Sequence, residues 1–103
     1  MKIKSNAQRP RLVVYRSIKN LYAQLIDDIN NKTLFSLSSN DKQIKEKFPN
    51  SGNIKGASFF GEVFARYVKE KGYSKIIFDR AGYLYHGRIK AFAESLRKGG
   101  LEF

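Results

Sequence analysis

Strand-like spacing of apolar residues gives way to mainly helical spacing in the second half of this chain of 103 residues, and that change constrains the fold more than any other feature. Residues 12–17, 21–27 and 33–39 are rich in β-branched and aromatic side chains, which predicts three strands. The polar segments 18–20 and 28–32 separate them and predict short turns. Consecutive strands joined by such turns form an antiparallel meander.

The second half of the chain has helical spacing instead. Between residues 54 and 71, apolar side chains recur every three or four positions, which predicts an amphipathic helix that Gly72 ends. That stripe consists of Ala57, Phe60, Phe64, Tyr67 and Val68, and we interpret it as core. A second helix is predicted up to Gly99 and Gly100, with an apolar face of Ile89, Phe92, Ala93 and Leu96.

Two shorter elements complete the pattern. Residues 41–48 predict a short charged helix, which Pro49 and the turn after it end. Residues 73–79 contain the apolar run 76–78, which is typical of a strand buried on both faces. Because a helix connects this strand to the meander, we expect it to lie parallel to a neighbouring strand. The predicted fold is an α/β (α+β-like) sandwich: a three-stranded antiparallel meander followed by helix, strand and helix, with the helices packed on the sheet.

Charge is the strongest compositional signal. Twenty Lys and Arg face nine Asp and Glu, a formal net charge of +11, and such an excess is typical of proteins that bind a polyanion. An anionic membrane would call for a basic amphipathic helix with a spare apolar face or a lipidation signal, and neither is recognisable. The chain has no cysteine, so disulfides and thiolate zinc sites are excluded. We expect an intracellular, cytoplasmic protein that binds nucleic acid and uses no cofactor, metal or small-molecule substrate.

The basic residues begin with a short arm. Residues 1–11 contain Lys2, Lys4, Arg9 and Arg11 but no acid, and they lack a periodic apolar pattern. Arms of this kind commonly order on RNA. We therefore expect a basic arm over residues 1–11 and a single RNA-binding domain over residues 12–103.

The segment from Phe78 to Arg88 is the strongest candidate binding site. It ends a strand, opens a helix, and combines glycines, tyrosines, two arginines and the only histidine. Backbone N–H groups at a helix start, aromatic rings and cations together suit phosphates and unstacked bases. The first predicted hairpin is a second candidate, with Arg16, Lys19, Asn20 and Tyr22 at or near it, although a solvated sheet end explains those residues equally well.

Several separated blocks resemble the family of bacterial large-ribosomal-subunit protein eighteen, which binds 5S ribosomal RNA. These blocks are Pro10-Arg11-Leu12, Val14-Tyr15-Arg16-Ser17, Leu21-Tyr22-Ala23-Gln24, Asp27-Asp28, Phe78-Asp79-Arg80, Gly82-Tyr83, Tyr85-His86-Gly87-Arg88 and Gly100-Leu101-Glu102-Phe103. Their order and number are far more specific than one short motif. Two positions depart from the family: Asn20 and Ala81 stand where members often have His and Gly.

The resemblance implies a structural protein of the large ribosomal subunit that holds 5S rRNA against the 23S rRNA in the central protuberance, beside the other 5S-binding ribosomal proteins. It places RNA contacts at the hairpin and in the loop before the last helix. With the arm and the next helical lysine added, the expected RNA-binding residues are Arg9, Arg11, Arg16, Ser17, Lys19, Asn20, Tyr22, Arg80, Tyr83, Tyr85, His86, Gly87, Arg88 and Lys90.

Two other classes of function stay open at this point. A ribonuclease-H-like metal-dependent nuclease would need converging carboxylates, for which Asp27 or Asp28 with Asp79 are the candidates. We interpret the first two as turn-capping residues instead. His86 has no recognisable nucleophile to activate, so we expect no catalytic residue. The third class is an adaptor, either a non-ribosomal basic RNA-binding adaptor or a protein–protein adaptor that uses exposed aromatics. The protein–protein form leaves the excess of cations unexplained.

Overall fold

A computed structural model of the chain describes residues 9–47 and 53–103. Its four strands form one mixed sheet in the order β3-β2-β1-β4, with three helices. The strands are β1 (Arg11–Arg16), β2 (Leu21–Asp27), β3 (Lys32–Ser38) and β4 (Ile77–Asp79), and the helices are α1 (Lys42–Lys47), α2 (Ile54–Glu70) and α3 (Gly87–Lys98). The predicted α/β fold and order of elements are confirmed.

The meander has the predicted antiparallel pairing. β2 lies between β1 and β3, and the register shifts once, between Leu25 and Ile26. Alternate residues of β2 face the core: Leu21, Ala23 and Leu25 are buried, while the residues between them are half-buried. One face of the sheet is therefore core, as the period of two predicts.

The core forms where α2 and α3 pack together and on the sheet. Phe60, Phe64 and Phe92 are fully buried, and the ring centroids of Phe60 and Phe92 lie 5.4 Å apart. Phe35 of β3 packs on the same cluster, with its ring centroid 5.3 Å from that of Phe64. The predicted aromatic stripe of α2 is thus core.

Two glycines allow α2 and α3 to approach closely. A Cβ atom at Gly61 would lie 2.7 Å from the carbonyl oxygen of Phe92 and 2.8 Å from Cβ of Ser95. A Cβ atom at Gly99 would lie 2.6 Å from Cβ of Ala65. All three distances are below van der Waals contact, so the spacing of the helices depends on the absence of side chains at these glycines.

The last strand is parallel to β1 as predicted, but it is not buried on both faces. β4 has three residues, all half-buried, because the strand order places it at the edge of the sheet. Only the preceding Ile76 is fully buried, and its N–H donates to the carbonyl oxygen of Glu102. The apolar run 76–78 therefore reflects packing at the edge of the sheet, not a position in its centre.

Other boundaries shift slightly. Arg11, which the sequence analysis assigned to the arm, is the first residue of β1, and the adjacent Pro10 is buried. Residues 1–8 of the predicted arm and the predicted break at Pro49 lie outside the described residues. None of the helices in residues 9–47 and 53–103 has the length and apolar character that crossing a membrane requires.

The turn between β2 and β3 uses one of the two adjacent carboxylates as predicted. Asp27 accepts hydrogen bonds from the N–H groups of Ile29 and Asn30 and from the side-chain amide of Asn30. The side-chain bond from Asn30 is the main cause that lowers the pKa of Asp27. The carboxylate of Asp28 binds Arg11.

We predict that Phe92→Ala lowers the free energy of unfolding by about 3–5 kcal/mol, because it opens a cavity between both helices and the sheet. Ile29→Ala is the control, since Ile29 is 58% exposed in a turn, and it should change stability by no more than about 0.5 kcal/mol. Urea denaturation followed by circular dichroism measures both. Equal effects of the two substitutions would contradict the described core.

Candidate nucleic-acid interface

The two candidate binding segments lie side by side. Because β1 and β4 are parallel, the hairpin that follows β1 (residues 16–20) and the central loop that follows β4 (residues 80–88) leave the same end of the sheet. The hydroxyl of Tyr83 lies 3.3 Å from the backbone nitrogen of Arg16, which donates to it, and 3.4 Å from the carbonyl oxygen of Arg16. We call residues 16–22 and 80–90 together the hairpin–loop surface.

Two arginines strengthen this junction. The guanidinium carbon of Arg16 lies 4.8 Å from the ring centroid of Tyr83, a cation–π contact. Arg88, in the first turn of α3, donates from Nη2 to the carbonyl oxygen of Ser17 at 2.7 Å. Its Nη1 is buried without a hydrogen-bond partner in the described residues. Arg88 is therefore both a cation of the surface and a link between its two parts.

The hairpin turn is held by its own polar groups. Ser17 donates its backbone N–H to the carbonyl oxygen of Asn20, and its hydroxyl accepts from the N–H of Asn20. The side-chain oxygen of Asn20 accepts from the hydroxyl of the buried Ser39, which also accepts from the N–H of Leu21. The predicted contact residues Ser17 and Asn20 thus fix the turn that carries Lys19, which is exposed.

Tyrosines extend the surface across the sheet. Tyr22 is half-buried and its hydroxyl accepts from the side-chain amide of Gln24. Its ring centroid lies 6.3 Å from that of Tyr15, its cross-strand partner, which is 44% exposed. Tyr15 is not among the contacts predicted from the sequence. It could have been predicted there, because both tyrosines flank the same hairpin.

The central loop presents its remaining side chains outward. Arg80, Tyr85 and His86 are exposed, as is Lys90 on α3. His86 occupies the N-cap position of α3 without a side-chain capping bond, so its imidazole does not cap the start of the helix. Gly82 and Gly87 adopt positive φ, as expected for a loop that turns sharply twice.

Arg11 lies at the opposite end of β1 from the hairpin, between two carboxylates. Its Nε and Nη2 lie 3.1 and 3.2 Å from the carboxylate oxygens of Asp28, and its Nη1 lies 2.9 Å from Oδ2 of Asp79. These bonds, with Asp28 first, raise the pKa of Arg11 against the opposing effect of burial. The geometry favours a structural role for Arg11, joining β1 to the ends of β2 and β4.

The same contacts weigh against a two-metal site. The guanidinium of Arg11 occupies the space between Asp28 and Asp79, while the other oxygen of Asp79 accepts from the N–H of Ala81 at 2.9 Å. Within residues 9–47 and 53–103, His, Cys, Asp and Glu form no group of three or more that could hold a metal ion. A nuclease of the kind considered above would need these carboxylates free for metal ions.

Arg9 lies beside β4, where its Nη1 is 3.5 Å from the carbonyl oxygen of Ile76. It lines a groove along β4 together with Arg80 and Tyr85 of the loop, Arg97 of α3 and Phe103. The guanidinium carbon of Arg97 lies 4.4 Å from the ring centroid of Phe103. The structure therefore divides the predicted residues: most belong to the hairpin–loop surface, while Arg9 faces the β4 groove and Arg11 the carboxylates.

Fold and surface together define a class: a small, basic α/β protein with a cationic and aromatic surface of the kind that binds RNA. The model of the family described as "Ribosomal L18 of archaea, bacteria, mitoch. and chloroplast" matches residues 1–103, and the chain belongs to this family. The resemblance drawn from the sequence is confirmed.

Curated relatives agree with the family assignment. The chain is 51% identical to the large ribosomal subunit protein uL18 of Pelotomaculum thermopropionicum, over 99% of this chain and 84% of that protein. It is 49% identical to the proteins of the same name from Desulforamulus reducens, over 99% and 84%, and from Solibacter usitatus, over 99% and 83%.

The central loop carries one strained residue. Ala81 has φ of 53°, in the left-handed region that disfavours residues with a Cβ atom. We predict that Ala81→Gly raises the free energy of unfolding by about 0.5–1 kcal/mol, the gain in the folded loop being partly offset by greater freedom of the unfolded chain. Ala91→Gly, within α3, is the control and should lower stability by a similar amount. A loss of stability in Ala81→Gly, measured by urea denaturation, would contradict the described backbone.

Proposed function

We propose that this ribosomal protein binds 5S rRNA through the hairpin–loop surface and helps to attach it to the 23S rRNA in the central protuberance. Family membership makes it a structural protein of the large ribosomal subunit. The proposal of 5S rRNA binding rests on the junction of the hairpin and the central loop. There, Tyr83 and Arg88 join two segments more than 60 residues apart into one continuous surface.

The chemistry of this surface suits a folded RNA. The cations Arg16, Lys19, Arg80, Arg88 and Lys90 would bind backbone phosphates and release their counterions. Tyr85 and His86 are exposed in the same loop, and such rings can stack on an unpaired base or contact a ribose hydroxyl. Since a fixed hairpin and a fixed loop present these groups, recognition should depend mainly on RNA shape.

The net charge supports the same partner. A charge of +11 on a small domain produces mutual repulsion, which a bound polyanion relieves. Other 5S-binding ribosomal proteins would be the protein neighbours. We propose no catalytic role, because the candidate carboxylates are engaged by Arg11 and by the turn.

The test of the proposal is a competition assay in which purified protein chooses between 5S rRNA and an equal mass of transfer RNA across a salt series. We expect a preference for 5S rRNA that persists as salt rises, since shape complementarity is less sensitive to salt than counterion release. Equal binding of both RNAs that disappears together with rising salt would contradict the proposal.

Alanine substitutions of the two loop tyrosines distinguish a residue that contacts RNA from one that also stabilises the fold. We predict that Tyr85→Ala weakens 5S rRNA binding about fivefold or more, the effect of losing a stacked base, with little change in melting temperature. Tyr83→Ala should lower both affinity and melting temperature, because the Tyr83 side chain joins the loop to Arg16. Gel-shift titration and thermal melting of the two variants measure this. Full affinity in Tyr85→Ala would exclude a stacking role for Tyr85.

A further inference from the structure

An open groove adjoins the hairpin–loop surface and reaches residues that neither the sequence analysis nor the family resemblance singled out. It is lined by Arg16, Asn53, Ile54, Lys55, Gly87 and Arg88. Three separate elements meet there: the end of β1, the start of α2 and the start of α3. Each contributes one cation, namely Arg16, Lys55 and Arg88.

The charged residues that line this groove are all positive. None of its lining residues is acidic, and the first turns of α2 and α3 contain no acidic residue. The N-terminal ends of helices carry partial positive charge, so a lysine in the first turn of α2 is unfavourable for the helix. Lys55 is exposed and forms no ion pair with any residue of the described ranges. The folded chain thus gathers positive charge here without neutralising it.

Arg88 adds an observation that does not depend on the helix ends. Its Nη2 is fixed by the carbonyl oxygen of Ser17, whereas its Nη1 has no partner within the described part of the chain. A buried guanidinium N–H without an acceptor is unfavourable. A small rotation of this side chain toward the groove, together with an anionic acceptor, would satisfy the donor.

We propose that Lys55, acting with Arg16 and Arg88, binds a backbone phosphate of the RNA, so that the RNA-binding surface continues from the hairpin onto the start of α2. This inference rests on the proposed function for the identity of the RNA. A phosphodiester is the ligand class that matches three converging cations without a nearby carboxylate. Lys55 is assigned as a binding residue rather than a structural one, because its charge opposes the helix that carries it.

Lys55→Gln tests this assignment, and Lys98→Gln is the matched control. Both lysines are exposed and both substitutions remove one positive charge, but Lys98 lies in the last turn of α3, beside Glu62 and Glu70 rather than in the groove. Binding to 5S rRNA is measured as a function of salt. We expect Lys55→Gln to reduce affinity threefold to tenfold at about 0.1–0.2 M salt. The plot of log K against log salt should also become less steep, its negative slope shrinking in magnitude by about 0.7–0.9, the value for one phosphate contact.

The control variant and the melting temperature distinguish the loss of a phosphate contact from a general loss of charge or of stability. Lys98→Gln should leave the slope within error of the wild-type value. Lys55→Gln should melt at the wild-type temperature or slightly above it, because it removes a charge that opposes the helix. A slope unchanged in Lys55→Gln, or reduced equally in both variants, would overturn the inference.

Parallel titrations with transfer RNA distinguish this inference from the proposed function. If wild-type protein prefers 5S rRNA but Lys55→Gln binds like the wild type, the inference about Lys55 fails and the proposed function stands. If wild-type protein shows no preference, the proposed function fails. In that case a less steep salt dependence of Lys55→Gln on both RNAs supports the Lys55 contact, and an unchanged salt dependence contradicts it.

Discussion

β4 pairs with β1 through only three residue pairs, yet the direction of this pairing decides where the groups that we propose to bind RNA lie. Parallel strands end at the same edge of a sheet, so the hairpin after β1 and the loop after β4 emerge together. The connection through α2 makes this direction possible, since a parallel neighbour needs a crossover. With β4 reversed, Tyr83 and Arg88 would lie at the other end of the sheet from the hairpin that they contact.

Much of the fold could be predicted because it follows from local periodicity. The alternation in β2 and the stripe of α2 depend on neighbours within a few residues, and both are confirmed. The burial of β4 was predicted wrongly because the position of a strand within a sheet is decided by distant segments. In the site, the sequence indicated the hairpin and the loop. It did not indicate that Arg11 binds two carboxylates or that Lys55 shares a groove with Arg88, since these contacts join residues far apart in the chain.

The distribution of charge is as informative as its total. The acids near the sheet are committed to structure: Asp27 to a turn, and Asp28 and Asp79 to Arg11. Two cations of the hairpin and central loop are instead held by a backbone carbonyl group, as Arg88 is, or by an aromatic ring, as Arg16 is. Contacts of this kind orient a guanidinium without neutralising it. The protein therefore keeps its positive charge available where RNA would approach.

The close approach of α2 and α3 at Gly61 has a consequence for this surface. Because a backbone oxygen of α3 lies where a side chain at residue 61 would begin, the absence of that side chain sets the distance between α2 and α3 and thus the position of α3. Arg88 lies in the first turn of α3 and reaches Ser17 from there. A methyl group added at residue 61 would push α3 away from α2 and displace that guanidinium. RNA affinity would then decline through a change of alignment, although every residue on the surface stayed the same.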